Sequence, residues 1–165
     1  MIKHIVAACT CLLAVACTAN ESYTRHPEVN TDSLRVTLKK ELQAYAPGLG
    51  EIMGGIQTHH AKLWYAGLHA NWALAQYESD ELKERFEQAI RIESDRPEVK
   101  MIPMMYPAID SMNKAIAGNN RAQFQSAYRL LTTACNSCHA ANKFAFNVIT
   151  IPTAPPVSNQ DFNSR

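Results

Sequence analysis

RAQFQSAYRLLTTACNSCHAANK, residues 121–143, joins a helical apolar period to a chemical motif, and the rest of the chain is best read outward from it. Phe124, Ala127, Leu131, Ala134 and Cys138 recur at intervals of three and four, which puts them on one face of an α-helix. Asn119 or Asn120 can cap that helix. Its inward face carries both core residues and the start of Cys135-Asn136-Ser137-Cys138-His139, so the helix is expected to end soon after His139.

C-x-x-C-H reads as a c-type haem attachment site. Two thiols one helical turn apart can each form a thioether to the porphyrin edge, and the adjacent imidazole then sits under the iron as proximal ligand. Cys135 and Cys138 are the expected attachment residues and His139 the expected iron ligand, with one covalent haem c per chain. C-x-x-C also occurs in disulfides, thioredoxin-like pairs and half zinc sites. A thioredoxin pair wants a βαβ setting, whereas this motif ends a helical pattern, and no second C-x-x-C follows it. A Cys2His2 zinc site completed by His59 and His60 is the remaining metal alternative.

The chain has 165 residues, enough for one domain with a sizeable core and short for two. Its 16 basic and 15 acidic residues nearly balance, which argues against nucleic acid as a partner. Five cysteines look odd in number until the first segment is removed. Residues 1–16 carry Lys3, an apolar run from Ile5 to Val15 and small residues Ala14 and Ala16, the pattern of an export signal. The run is too short to cross roughly 30 Å of hydrocarbon at 1.5 Å per residue. Cleavage before Cys17 discards Cys9 and Cys11 and leaves one cysteine at the new N-terminus beside the two of the motif. Leu13-Ala14-Val15-Ala16-Cys17 resembles a lipobox with Ala where Leu is usual, so Cys17 is a candidate lipid acceptor. Ala14-x-Ala16 equally suits ordinary signal peptidase. The expected location is the periplasmic side, on a lipid anchor or free.

Residues 17–30 are polar, lack an apolar period and are expected to be a tether. Asp32 or Ser33 can cap a short helix over Leu34, Leu38, Leu42 and Tyr45, which Pro47-Gly48 ends. From Leu49, the residues Met53, Ile56, His60, Leu63 and Gly67 mark a second helix. Gly67 and the capping potential of Asn71 suggest a turn before a third, at about residues 71–93, because one helix over 49–93 would far exceed the usual length. Ile102, Met105, Ile109, Met112 and Ile116 stripe a fourth, expected to start near Pro103 or Pro107 and to end at Gly118-Asn119. After Lys143 an apolar, proline-rich tail is expected to lie across the haem end. The single helical domain is placed at 31–165, with its core at about 49–143.

Amphipathic helices with short connectors bury their stripes most simply as an antiparallel four-helix bundle, here with an extra N-terminal helix and an extended C-terminal tail. With Cys135, Cys138 and His139 late in the last helix, the sequence resembles the class II c-type cytochromes, the cytochrome c prime group and its low-spin relatives, over residues 49–143. The extra helix and the tail depart from that pattern. Antiparallel geometry brings the start of the helix from Leu49 to the end of the helix that carries the motif. Met53 lies near that start, and His60 is about 10 Å deeper at 1.5 Å per residue, so Met53 is the preferred distal ligand. The low-spin relatives use a methionine early in the first bundle helix, and a thioether raises the haem potential. The resemblance thus implies a monohaem electron carrier that meets redox partner proteins, with an open-site binder of NO or CO as the alternative. A dimer is compatible with this reading. The sequence holds no Gly-rich phosphate loop and no Ser/His/Asp arrangement, and no enzyme is expected.

Overall fold

A computed structural model describes residues 30–163. The export signal, Cys17 and the tether up to residue 29 lie outside the described residues. Those described form α1 Thr31–Tyr45, α2 Leu49–Leu68, α3 Trp72–Ile92, a 3-10 segment Pro97–Met105, α4 Tyr106–Ala117 and α5 Arg121–Ala141. No strand occurs among them, so the described fold is all-α. The chain parts into two compact units between Leu38 and Lys39, inside α1. Everything discussed from α2 onward belongs to the second unit. No described helix is long and apolar enough to cross a membrane.

The helix ends follow from capping chemistry. Asn30, not Asp32 or Ser33, caps α1, its Oδ1 accepting from the backbone N–H groups of Asp32 and Ser33 at 3.1 and 3.0 Å. Leu34, Leu38 and Leu42 on that helix are all more than half exposed. The break expected between Gly67 and Asn71 is present. Ala70 takes the left-handed conformation (φ 53°), and the Asn71 N–H returns to the Ala66 carbonyl, closing the last turn of α2. The Asn71 side chain then accepts from the Leu74 N–H and opens α3. At the end of α4 the left-handed residue is Asn119 (φ 49°), while Gly118 keeps φ −79°. Asn120 caps α5 through the Gln123 N–H at 3.0 Å.

Residues 97–105 form a 3-10 segment ahead of the regular α-helix, whose start falls at the second of the two expected places, Pro107. Val99, Ile102 and Met105 are buried at intervals of three, the spacing that aligns on one face of a helix with three residues per turn. Pro103 lacks an N–H and fits a tighter segment better than an α-helix interior. Regular α-helix begins at Tyr106, with Pro107 in its first turn.

Helix contacts run α2–α3, α3–α4, α4–α5 and α5–α2 around a shared core that includes Ile52, Leu63, Leu82, Ile109, Met112 and Leu131. α2 and α5 run in opposite directions: Gly67 meets Phe124, Trp64 meets Tyr128, and His60 meets Thr132. Gly67 is therefore not the breaker its residue type suggests. It lies inside α2 because a Cβ there would overlap the ring of Phe124, which is fully buried. Gly67→Ala should cost about 3 kcal/mol or more, since a ring enclosed on all sides has nowhere to move. Urea denaturation checks it, and a loss under about 0.5 kcal/mol, the range of ordinary surface changes, would show that the helices can part at no cost.

Candidate functional site

The end of α5 owes its geometry to three interactions made by the residues after it. Lys143 adopts φ 67°, and the Phe144 N–H bonds the His139 carbonyl at 2.8 Å, so the chain turns back at once. The tail then passes beside the motif. Asn136, the first variable residue of C-x-x-C-H, accepts from the Ile149 N–H and donates to the Ile149 carbonyl, both at 2.8 Å. This amide pairing holds the tail like a strand partner. It also sets the Asn147 carbonyl 2.6 Å from His139 Nδ1. A carbonyl can only accept, so Nδ1 carries the ring proton and the neutral imidazole keeps its lone pair on Nε2. That is the tautomer a metal-binding histidine needs, with its other nitrogen fixed by a backbone oxygen.

Cys135, Cys138 and His139 border a cavity of about 400 Å³ together with Met53 and Phe86. Its size falls in the range of small-molecule and cofactor sites. Leu49, Ile56, Val99, Ile102 and Met105 supply apolar wall, and Gly50 and Gly54 contribute backbone where a Cβ would meet nothing within 4 Å. The tail contributes Phe144, Asn147 and Ile149. The expectation that it crosses this end holds for that portion. The remainder leads elsewhere, since Phe162 is buried against Tyr65 and the Asn163 carbonyl accepts from Asn71 at the turn between α2 and α3.

The two thiols are free, and burial is the main influence on both. Burial, with Cys138 close by, pushes the Cys135 thiol up to about 12, and burial also raises Cys138 against the pull of its Asn142 hydrogen bond. His59 is turned away from the cysteines. His59 Nδ1 lies 2.7 Å from Glu78 Oε2 and its Nε2 3.8 Å from Glu81, both on α3. Among the described residues no three His, Cys, Asp or Glu side chains gather as a cation site.

His60 lines the cavity but has both nitrogens engaged. Thr132 Oγ1 donates its one proton to the Tyr128 carbonyl at 2.9 Å, so it accepts from His60 Nε2–H at 3.0 Å. The Tyr128 hydroxyl sits 2.8 Å from both His60 Nδ1 and the His60 carbonyl. Burial lowers the His60 pKa from 6.5 to about 4, and burial raises that of Tyr128, so both stay neutral. In the unfolded chain His60 binds a proton below its ordinary value, which the folded protein refuses until about 4. Stability is therefore full above that ordinary value and falls as pH drops through this window, by up to about 3 kcal/mol. Urea unfolding across the window should show this slope for the parent and not for His60→Gln. Equal slopes in both would mean that another group causes it.

Sequence reasoning missed Arg96 and Glu98. Arg96 stands just before the 3-10 segment and Glu98 in its first turn, 3.6 Å apart, and both line the cavity. Their polar surroundings in the sequence read as a solvent loop, and only the fold brings them to the site. Glu98 Oε2 is buried without a hydrogen-bond partner.

No family model matches this chain, and neither the curated proteins nor the solved structures include a significant match.

Proposed function

We propose that the protein is a monohaem c-type cytochrome, a single-electron carrier similar to the low-spin class II group, with α2 to α5 as its antiparallel four-helix bundle. One observation carries the reading: His139, with Nδ1–H committed to the Asn147 carbonyl and the Nε2 lone pair left for a metal, borders the same apolar cavity as Cys135, Cys138 and Met53. The residues fit the group. Cys135 and Cys138 would bind the porphyrin edge, His139 and Met53 would ligate the iron, and Arg96 would supply positive charge for the porphyrin carboxylates. Bound there, haem supplies a reversible one-electron change at iron.

The chain's part is to keep that change easy. Asn136 holds the tail, the tail holds the Asn147 carbonyl, and that carbonyl fixes the His139 ring, so the proximal ligand keeps one orientation in both redox states. The Met53 thioether, as an iron ligand, would favour the reduced state. Apolar walls from α2, the 3-10 segment and the tail exclude water, and no substrate has to enter. The reading is tested by the absorption spectrum of dithionite-reduced protein, expressed for export with cytochrome c maturation factors. A low-spin haem spectrum that CO barely alters is expected. A high-spin spectrum that shifts at once with CO would replace the carrier by the gas binder, and no haem absorbance would end both.

A further inference from the structure

One wall of the cavity differs in kind from the others. α2, α3, α5 and the 3-10 segment line it from elements that also build the shared core, so moving any of them would uncover residues such as Ile52, Leu82 or Leu131. The remaining wall is Phe144, Asn147 and Ile149 of the tail, and that stretch buries little. Phe146 is 81% exposed and Val148 63%. Among the described residues, the hydrogen bonds that fasten 144–149 to the bundle run only to His139 and Asn136 of α5. The Phe144 N–H and the Asn147 carbonyl hold His139, and Ile149 makes both amide bonds with Asn136. A segment held by a few such bonds and little apolar contact opens at far less cost than a core helix.

The chain on either side permits the motion. Lys143 is exposed and sits at φ 67°, a left-handed conformation that a lysine leaves readily. Beyond Ile151, which is half-buried against the core, the next firm hold is Phe162 against Tyr65. The stretch from Ile151 to Phe162 can extend to roughly 36–40 Å at about 3.3–3.6 Å per residue. Tyr65 and Met53, by contrast, are only about 18 Å apart along α2 at 1.5 Å per residue. The far end of the tail therefore stays docked while the near end lifts. We propose that residues 144–151 are a lid, hinged at Lys143 and latched by Asn136, whose opening is the route by which a bulky ligand reaches the cavity and the side chains of Cys135, Cys138 and His139. This holds whichever group fills the cavity. Entry and fixation are then successive, because the Asn147 carbonyl orients the His139 ring only when the lid is shut.

The test reads access through the thiols. The full chain, made reduced and without maturation factors, is treated with N-ethylmaleimide, and peptide mass spectrometry follows labelling at Cys135 and Cys138. Each rate is divided by that of the same chain unfolded in urea. Wild type should label far more slowly folded than unfolded. Asn136→Ala, which loses both latch bonds, should label about tenfold faster than wild type or more, at a nearly unchanged urea midpoint. Hydrogen exchange at the Phe144 amide, whose own bond that substitution leaves in place, should accelerate by the same factor. Because residue 136 adjoins Cys135, Lys143→Val supplies a second arm. It lies outside the cavity, and a β-branched side chain disfavours the left-handed hinge, so both thiols should again react several-fold faster. Unchanged labelling in either variant would overturn the lid. So would wild-type thiols that react as fast folded as unfolded, or an acceleration no larger than the loss of global stability explains. If Asn136→Ala does not fold, Lys143→Val decides. Haem plays no part in these readings, so the lid can fail while the carrier stands, and the reverse.

Discussion

Haem staining on a denaturing gel should disappear completely when Cys135 and Cys138 are both changed to alanine, while the wild-type band keeps its stain after boiling in detergent. Only covalent attachment survives that treatment, and the described residues contain no other cysteine. Single replacements should each leave one thioether and a stained band of reduced intensity. The double variant should also be less stable, because it leaves a largely apolar cavity of about 400 Å³ without the group that would fill it. An unstained wild type from cells that carry the maturation factors, or a stained double variant, would remove the basis for the haem reading.

Met53→Ala should convert a six-coordinate low-spin iron into an open one that takes up CO at once. Met53 lies on the first turns of α2, borders the cavity, and is only partly buried against the core. Its truncation should therefore cost less stability than the roughly 2–5 kcal/mol of a fully enclosed methionine. A large spectral change with a small loss of stability is the signature of a ligand. The opposite combination is that of a packing residue. The same loss of a thioether ligand should lower the reduction potential. Redox titration with and without CO separates the outcomes, and a variant with wild-type spin state and potential would return Met53 to the core.

Helix positions were legible because they depend on near neighbours. The periods of 3.6, the asparagine caps at Asn71 and Asn120 and the stop after His139 each involve residues within a few positions. Where reading failed, the competing interaction was still local but finer than residue type conveys. Asn30 caps α1 although Asp32 and Ser33 have equal propensity, and a nine-residue 3-10 segment that residue types did not announce precedes the α-helix starting at Tyr106, because intervals of three suit both kinds of helix. Gly67 was legible as special and misread as to cause, since a break and a close approach leave the same letter.

The sequence by itself determined that the described chain is helical, where its helices begin and end, and that two thiols and an imidazole share one turn of the last helix. It also singled out Met53 as a residue that antiparallel packing would bring to that turn. Only tertiary structure decided what each polar group meets. It turned His59 toward α3 and gave both nitrogens of His60 to residues 68 and 72 positions away. It brought Arg96 and Glu98, at the start of the 3-10 segment, to the cavity, and it used Asn136 to fasten a tail whose carbonyl sets the tautomer of His139. The physical reason is range. Backbone sterics and capping act over one or two turns, so short windows of sequence reveal them. A hydrogen-bond partner across the core depends on how all the helices pack at once, and no window of the sequence contains that.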